Sequence, residues 1–277
     1  MVGLHIRGSG SLTGIIQKAI RLELNLFQCF LTQKNGSGIP LNPDDCATFV
    51  ALRQQFFPAV FLHASYWINL CQSDGPGAQR LFAQELSWAK RLSFTHMILH
   101  PGSAKVHGCR ATGIDFLVRT LNRMLKYEQD ITLVLENSAH GNMSVGGDLC
   151  DFAQILAKID YPEKIKFCID TAHAYSFGYD LIDPATQDTF IDLIEQTIGI
   201  DKVALIHLND THEQLGSYKD RHALLGQGTL GEIALKRFMC HPKLQLIPVL
   251  LELPEIAPQE EQHIINKVIT WHKEKMI

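Results

Sequence analysis

No C-x-x-C pair occurs in this 277-residue chain, and its seven cysteines are scattered along it. An odd count with no spacing pattern excludes a disulfide framework or a Cys-type zinc knuckle and argues for reduced thiols inside a cell. No apolar run approaches the roughly 20 residues that a membrane helix needs, so no membrane partner is expected. The start, MVGLHIRGSG, lacks the basic residues and apolar stretch of a signal peptide. An intracellular protein is therefore expected: cytoplasmic, or nuclear if the source is eukaryotic or viral. A basic excess is missing too. The formal net charge is −4, which by itself gives no support to a nucleic-acid partner. No Pro- or Ser-rich linker divides the chain, so residues 1–277 read as one domain.

What is there is apolar residue and histidine. Hydrophobic residues make up 46%, enough for a sizeable core. Thirteen histidines are too many to ignore and too dispersed to be a tag. Eight short apolar, β-branched runs can be picked out: Val2–His5, Leu24–Leu31, Ala59–Ala64, His96–His100, Ile131–Glu136, Ile165–Asp170, Lys202–Leu208 and Leu246–Glu252. Segments with helical periodicity lie between them, among them Pro43–Phe57, Gly77–Arg91, Gly113–Tyr127 and Leu149–Ile159. Apolar strands alternating with amphipathic helices indicate a parallel sheet covered on both faces. Eight such units, in a length close to the roughly 250 residues of an α/β barrel, predict a closed (β/α)8 TIM barrel. An open doubly wound sheet is the alternative.

The last six runs end in FLHAS, ILHPG, VLENS, FCIDTAH, LIHLND and LLELP. Strand-end His, Glu and Asp would converge at the carboxyl face of a barrel, where catalytic groups sit. The candidate ligands are His63, His100, Glu136, Asp170, His173, His207, Asp220, His222 and Glu252. Imidazole and carboxylate are the usual non-thiol zinc ligands, and one zinc takes about four. Nine would serve three metals if a carboxylate bridges, and Glu136, on a middle strand, is the natural bridge.

Taken singly, each piece has a plain reading. His-Pro-Gly is commonly a turn. Asp170 and His173 share a site only if the chain bends sharply between them. Asp220 and His222 face one way only in extended chain. Joint placement at successive strand ends is the feature that the plain reading leaves unexplained, because crowded buried carboxylates and imidazoles are costly without metal. His241, His263 and His272 read as solvated, Cys168 as a core residue, and His5 as a strand end that could line the pocket.

At this point the chain resembles the endonuclease IV family. The matching segments are HASYWINL (63–70), HPGS (100–103), LEN (135–137), CIDTAHAYSFGYD (168–180), HLND (207–210), DRHALLGQG (220–228) and LELP (251–254). They occur in family order over nearly the whole chain. The resemblance implies the barrel and a trinuclear zinc site, with Mn²⁺ or Fe²⁺ admitted in part. His63 and His100 would hold one zinc, with Glu136 bridging to a second. Asp170, His207 and Glu252 would complete the second site, and His173, Asp220 and His222 the third. Glu136 and Glu252 are expected to be catalytic as well as metal-binding. The implied activity is hydrolysis on the 5′ side of abasic sites in duplex DNA, leaving a 3′-hydroxyl, with trimming of 3′ ends as a further activity. A monomer is expected.

The resemblance also implies DNA contacts. Tyr66 and Trp67 stand where the family inserts an aromatic–aliphatic pair; the competing expectation is that Trp67 packs under its loop. Lys34, Lys105, Lys219 and Arg221 lie in loops at the same end and are candidate phosphate contacts, Arg221 foremost because it lies between two proposed ligands. The sequence departs from the family pattern in the Gly-rich TQKNGSGIP loop, at Ala139–Asn142, at His212 and at Leu253. These bear on substrate grip more than on the ligands. Two other functions compete. A metal-dependent sugar isomerase or epimerase of the same barrel group would need only Glu136, Asp170, His207 and Glu252. A non-catalytic binder of damaged DNA would need no hydrolytic cluster.

Overall fold

The coordinates are a computed structural model and describe all residues except 8, 9, 33–37, 40, 73–75, 128, 129 and 275–277. The strands of the first half are β1 (Val2–His5), β2 (Leu26–Phe30), β3 (Phe61–His63), β4 (His96–Leu99) and β5 (Thr132–Glu136). Those of the second half are β6 (Ile165–Asp170), β7 (Val203–His207), β8 (Asp210–Thr211), β9 (His222–Ala223) and β10 (Val249–Leu251). Eight of them close into a parallel barrel in the order β1–β10–β7–β6–β5–β4–β3–β2, and β8 and β9 pair apart from it. Helices α1 (Leu12–Arg21), α2 (Pro43–Phe56), α3 (Pro76–Arg91), α4 (Arg110–Leu125) and α5 (Leu149–Lys158) cover the first half of the barrel. The second half is covered by α6 (Thr171–Phe177), α7 (Pro184–Thr197), α8 (Gly231–Met239) and α9 (Pro258–Glu274). None of the described helices is long and apolar enough to cross a membrane.

Local chemistry sets where helices start. Ser11, Asn42, Asp148 and Asp183 each sit in extended backbone and accept an N–H from the first turn of the adjoining helix. Pro43 and Pro184 occupy the first turn, where a missing N–H costs nothing. The helix expected from Gly113 begins earlier, at Arg110. Glycine is a poor start signal; here it serves close packing, since a Cβ on Gly113 would lie 2.4 Å from the Ala104 Cβ.

The core has two parts. Most of it lies between strands and helices. A smaller cluster joins one residue from each of seven strands: Leu26, Phe61, Ile98, Val134, Cys168, Leu205 and Leu250. These fill the inside of the barrel, where each large apolar side chain contributes about 1.5–3 kcal/mol by leaving water. β1 supplies Gly3 instead, because Leu26 already fills the space its side chain would take. Together they fix the inward face of every barrel strand, and with it the placement of the functional groups.

Candidate metal centre

Side chains two residues apart on a strand share a face. Two positions beyond the eight inward residues stand His5, Gln28, His63, His100, Glu136, Asp170, His207 and Glu252. All lie at the carboxyl end of the barrel, and all but the partly exposed His100 are buried. The barrel thus changes within one pleat from a hydrocarbon plug to a polar floor. Six of the eight are predicted ligands; His5 and Gln28 complete the ring.

The other three ligands come from segments beyond the strand ends. Asp170 ends β6 and at once caps α6, its Oδ1 accepting the His173 N–H at 2.8 Å. That sharp strand-to-helix turn brings His173 back over the site. After β7 a short hairpin forms, β8 against β9. Buried Asp210 anchors it by accepting the N–H groups of Gly226, Gly228 and Leu230, each at 3.0 Å. Gly228 leaves no room for a side chain there, since a Cβ would lie 2.4 Å from Asp210 Oδ1. The hairpin delivers Asp220 and His222.

All nine predicted ligands meet in one place. Glu136 Oε2 faces His63 Nε2 at 3.1 Å and His100 Nε2 at 3.5 Å. Its other oxygen faces His207 Nδ1 at 2.8 Å. His207 Nδ1 is also 3.8 Å from Asp170 Oδ2 and 3.6 Å from Glu252 Oε2. Asp220 Oδ1 lies 3.2 Å from His173 Nε2 and 3.3 Å from His222 Nε2. Among the described residues four groups offer donor atoms within 4.8 Å of one another: His63–His100–Glu136, Glu136–Asp170–His207–Glu252, Asp170–His173–His222, and Glu136–Cys168–His207. Burial pushes the Cys168 thiol up to about 12, which suits the core residue expected.

The electrostatics follow from crowding. Burial works against the charge of Glu136, but His207 and His100 beside it hold its carboxyl well below the usual range. Asp220 is lowered in the same way by His173 and His222 against its burial. Burial wins at Asp170, whose carboxyl is raised despite His173 and His222. His173 is the reverse case: burial lowers it, and Asp170 and Asp220 more than reverse this.

The residues fit metal ions on the chemistry of their donors. His63 Nδ1 donates to the Ala64 carbonyl at 2.8 Å and His173 Nδ1 to the Asn137 carbonyl at 3.0 Å. Each ring is thereby oriented with its Nε2 lone pair toward the site, as metal-binding imidazoles are. Among the described residues the Nε2 atoms of His173 and His222 are buried without a hydrogen-bond partner, and Asp220 Oδ1 lies 3.2 and 3.3 Å from them. Buried polar atoms left in this way ask for a cation.

Several supporting residues were not singled out from sequence. Asn209 donates to Asp170 Oδ2 at 2.6 Å and to Glu252 Oε2 at 3.2 Å. Asn137 Oδ1 accepts the Asp170 N–H at 2.6 Å. Buried Glu85 of α3 ties the loop after β3 to the segment after β2 by accepting from Ser65 N at 2.9 Å and Thr32 Oγ1 at 2.6 Å. Arg7 is the one Lys or Arg among the described residues lining the cavity of about 880 Å³ above the cluster. Tyr66 and Trp67 line the same cavity. Arg221 does not; it is exposed and 3.6 Å from Glu213. Lys105 and Lys219 are exposed as well. Lys34 lies outside the described residues.

The sequence profile of the xylose isomerase-like TIM barrel family matches residues 16–275. Proteins named probable endonuclease 4 from Alkaliphilus oremlandii and Akkermansia muciniphila are each 31% identical to this chain. The first match covers 91% of this chain and 91% of the relative, and the second 99% and 98%. The chain belongs to the endonuclease IV family. Endonuclease IV from Thermus thermophilus has the same architecture, with a TM-score of 0.84 at 28% identity over 99% of both chains. A xylose isomerase domain-containing protein from Salmonella typhimurium shares the fold at a TM-score of 0.70 and 14% identity, over 98% of this chain and 96% of that one. The chain is thus an endonuclease IV homologue and an enzyme.

Proposed function

We propose that this enzyme is a DNA-repair nuclease that hydrolyses the phosphodiester 5′ of an abasic site in duplex DNA, leaving a 3′-hydroxyl, with three zinc ions as cofactor. Membership of the endonuclease IV family supports the reaction class. The observation that carries the three-metal reading is the convergence of five imidazoles and four carboxylates, with Glu136 turning one oxygen to His63 and the other to His207.

His63, His100 and Glu136 would hold one ion, Glu136, Asp170, His207 and Glu252 a second, and His173, Asp220 and His222 a third. When bound, zinc supplies a nucleophile at neutral pH and Lewis-acid stabilisation of phosphate charge. Glu136 and Glu252 are the carboxylates assigned a catalytic part, and both contact His207. The protein's own part is to fix these donors. Asn209 restrains Asp170 and Glu252, and the Asp210 anchor holds the hairpin that carries Asp220 and His222. Three Zn²⁺ would turn the formal charge of −4 to about +2, so the acidic composition is compatible with an anionic substrate. Arg7 offers a guanidinium in the cavity for a phosphate.

An isomerase site would use the quartet Glu136, Asp170, His207 and Glu252. It would leave His63, His100, His173, Asp220 and His222 without work, although they crowd onto the same carboxylates. Damaged DNA as substrate sets the work inside the cell. Zinc-loaded protein is expected to nick a duplex carrying one abasic site and to leave the same duplex intact when the base is present. Absence of nicking by fully loaded protein would refute the proposal.

A further inference from the structure

One member of the polar ring is neither acid nor imidazole. Gln28, fully buried on β2, meets three groups. Its Nε2 lies 2.6 Å from Glu252 Oε1 and 2.7 Å from His5 Nδ1, and its Oε1 lies 2.9 Å from His207 Nε2.

The direction of this amide follows from what its partners can do. An ionised carboxylate only accepts. As a zinc ligand Glu252 would be ionised, and its other oxygen, Oε2, already accepts from Asn209 Nδ2 at 3.2 Å. The amide atom 2.6 Å from Glu252 is therefore the NH2 group. Its second hydrogen meets His5 Nδ1, which accepts it; Glu252 is farther from that nitrogen, at 3.4 Å. The amide oxygen is left facing His207 Nε2 and can only accept. His207 Nε2 must then carry a hydrogen. The nitrogen with a lone pair to give is Nδ1, which already faces Glu136, Asp170 and Glu252.

We propose that Gln28 is a positioning residue that locks His207 in its Nε2–H form and so presents Nδ1 to the metal ion held with Glu136, Asp170 and Glu252. This rests on the zinc reading above. A ring free to flip, or free to carry its proton on Nδ1, would lose that donor for part of the time. An apolar residue at position 28 would bury the His207 N–H unpaired. A carboxylate there would set two acceptors 2.6 Å apart. Outer partners of this kind are typically worth about 10–100-fold in metal affinity.

Two measurements test this, and neither depends on DNA cleavage. Long-range ¹H–¹⁵N spectra of zinc-loaded, histidine-labelled wild-type protein are expected to show the His207 proton on Nε2; a proton on Nδ1 overturns the proposal. In Gln28→Met, similar in length but without an amide, chelator competition is expected to show one zinc bound about 10–100-fold more weakly, with the others unchanged. Wild-type affinity for every ion in that variant, even with a lowered Tm of the metal-free protein, would reduce Gln28 to a structural residue and overturn the proposal. Wild-type protein that takes up no zinc would refute the metal reading itself, and this inference with it.

Discussion

Tyr66 and Trp67 are neighbours, both largely exposed, at the rim of one cavity. The Tyr66 ring leans over the site, with centroids 5.1 Å from Phe30 and 5.6 Å from His63, and Trp67 stands 66% exposed. A tryptophan so exposed is unusual, and the expectation that it packs under its loop does not hold. A missing base leaves a gap in the DNA stack that an aromatic wedge can fill. Trp67→Ala is expected to weaken binding to an abasic duplex by about 1–3 kcal/mol, the scale of base–aromatic stacking. Binding to an intact duplex should change far less, and metal content not at all. Fluorescence anisotropy on the two duplexes checks this; equal weakening on both would remove Trp67 as the wedge.

Gently purified protein should carry three metal ions per chain, mainly zinc. His63, Glu136 and His173 are nearly or fully buried, while the side chains of His222 and Asp220 are 15% and 33% exposed. The ion at the hairpin is therefore expected to leave first under a chelator. Elemental analysis during stepwise chelation should pass through a two-metal form. A maximum of one ion after zinc addition would favour the isomerase-type quartet.

Glu136→Gln keeps the shape of the bridge but removes its charge, and His173→Ala removes a donor from the hairpin side. Each should lower nicking on the order of 10²–10³-fold, the scale seen when one preorganised electrostatic contact is lost. Far-UV circular dichroism should stay unchanged. Near wild-type turnover with full metal content in either variant would contradict the roles assigned to them.

Asp45 of α2 caps a different helix. Its two oxygens accept the Leu12 and Thr13 N–H groups of α1 at 2.8 and 2.9 Å. Burial raises this carboxyl, but the Thr13 and Leu12 contacts outweigh it, so the folded pKa is lowered. The contribution is therefore present above the unfolded carboxyl's range near pH 4 and is lost as pH falls through the lower folded value. Asp45→Ala should cost about 1 kcal/mol at neutral pH, as for other helix caps, and less in acid. Denaturant unfolding of both proteins at several pH values checks this; a constant difference down to about pH 2 would contradict it.

The strand count and the six strand-end ligands were legible because a barrel strand is a short apolar run and its end is chemically abrupt. Gln28 was legible in principle: alternation along Leu26–Phe30 puts Leu26 and Gln28 on one face. It drew no notice because an amide is not a ligand type. His5, left as a strand end, belongs to the same ring by the same spacing. The hairpin that carries Asp220 and His222 was not legible, since Asp210 holds it through backbone N–H groups far along the chain. Leu246, expected in the last strand, is 89% exposed in the turn before β10; hydrophobicity alone does not mark a strand's first residue.

This cluster, loaded with metal, is expected to cut DNA at abasic sites. The most direct test strips the protein with chelator, restores zinc stepwise, and follows cleavage of a duplex with one abasic site, mapping the new ends. Activity is expected to be absent in the stripped protein and to reach its full value only as the third equivalent binds, with the cut 5′ of the lesion and a 3′-hydroxyl left behind. Full activity in stripped protein, or none with three zinc ions bound, would contradict it.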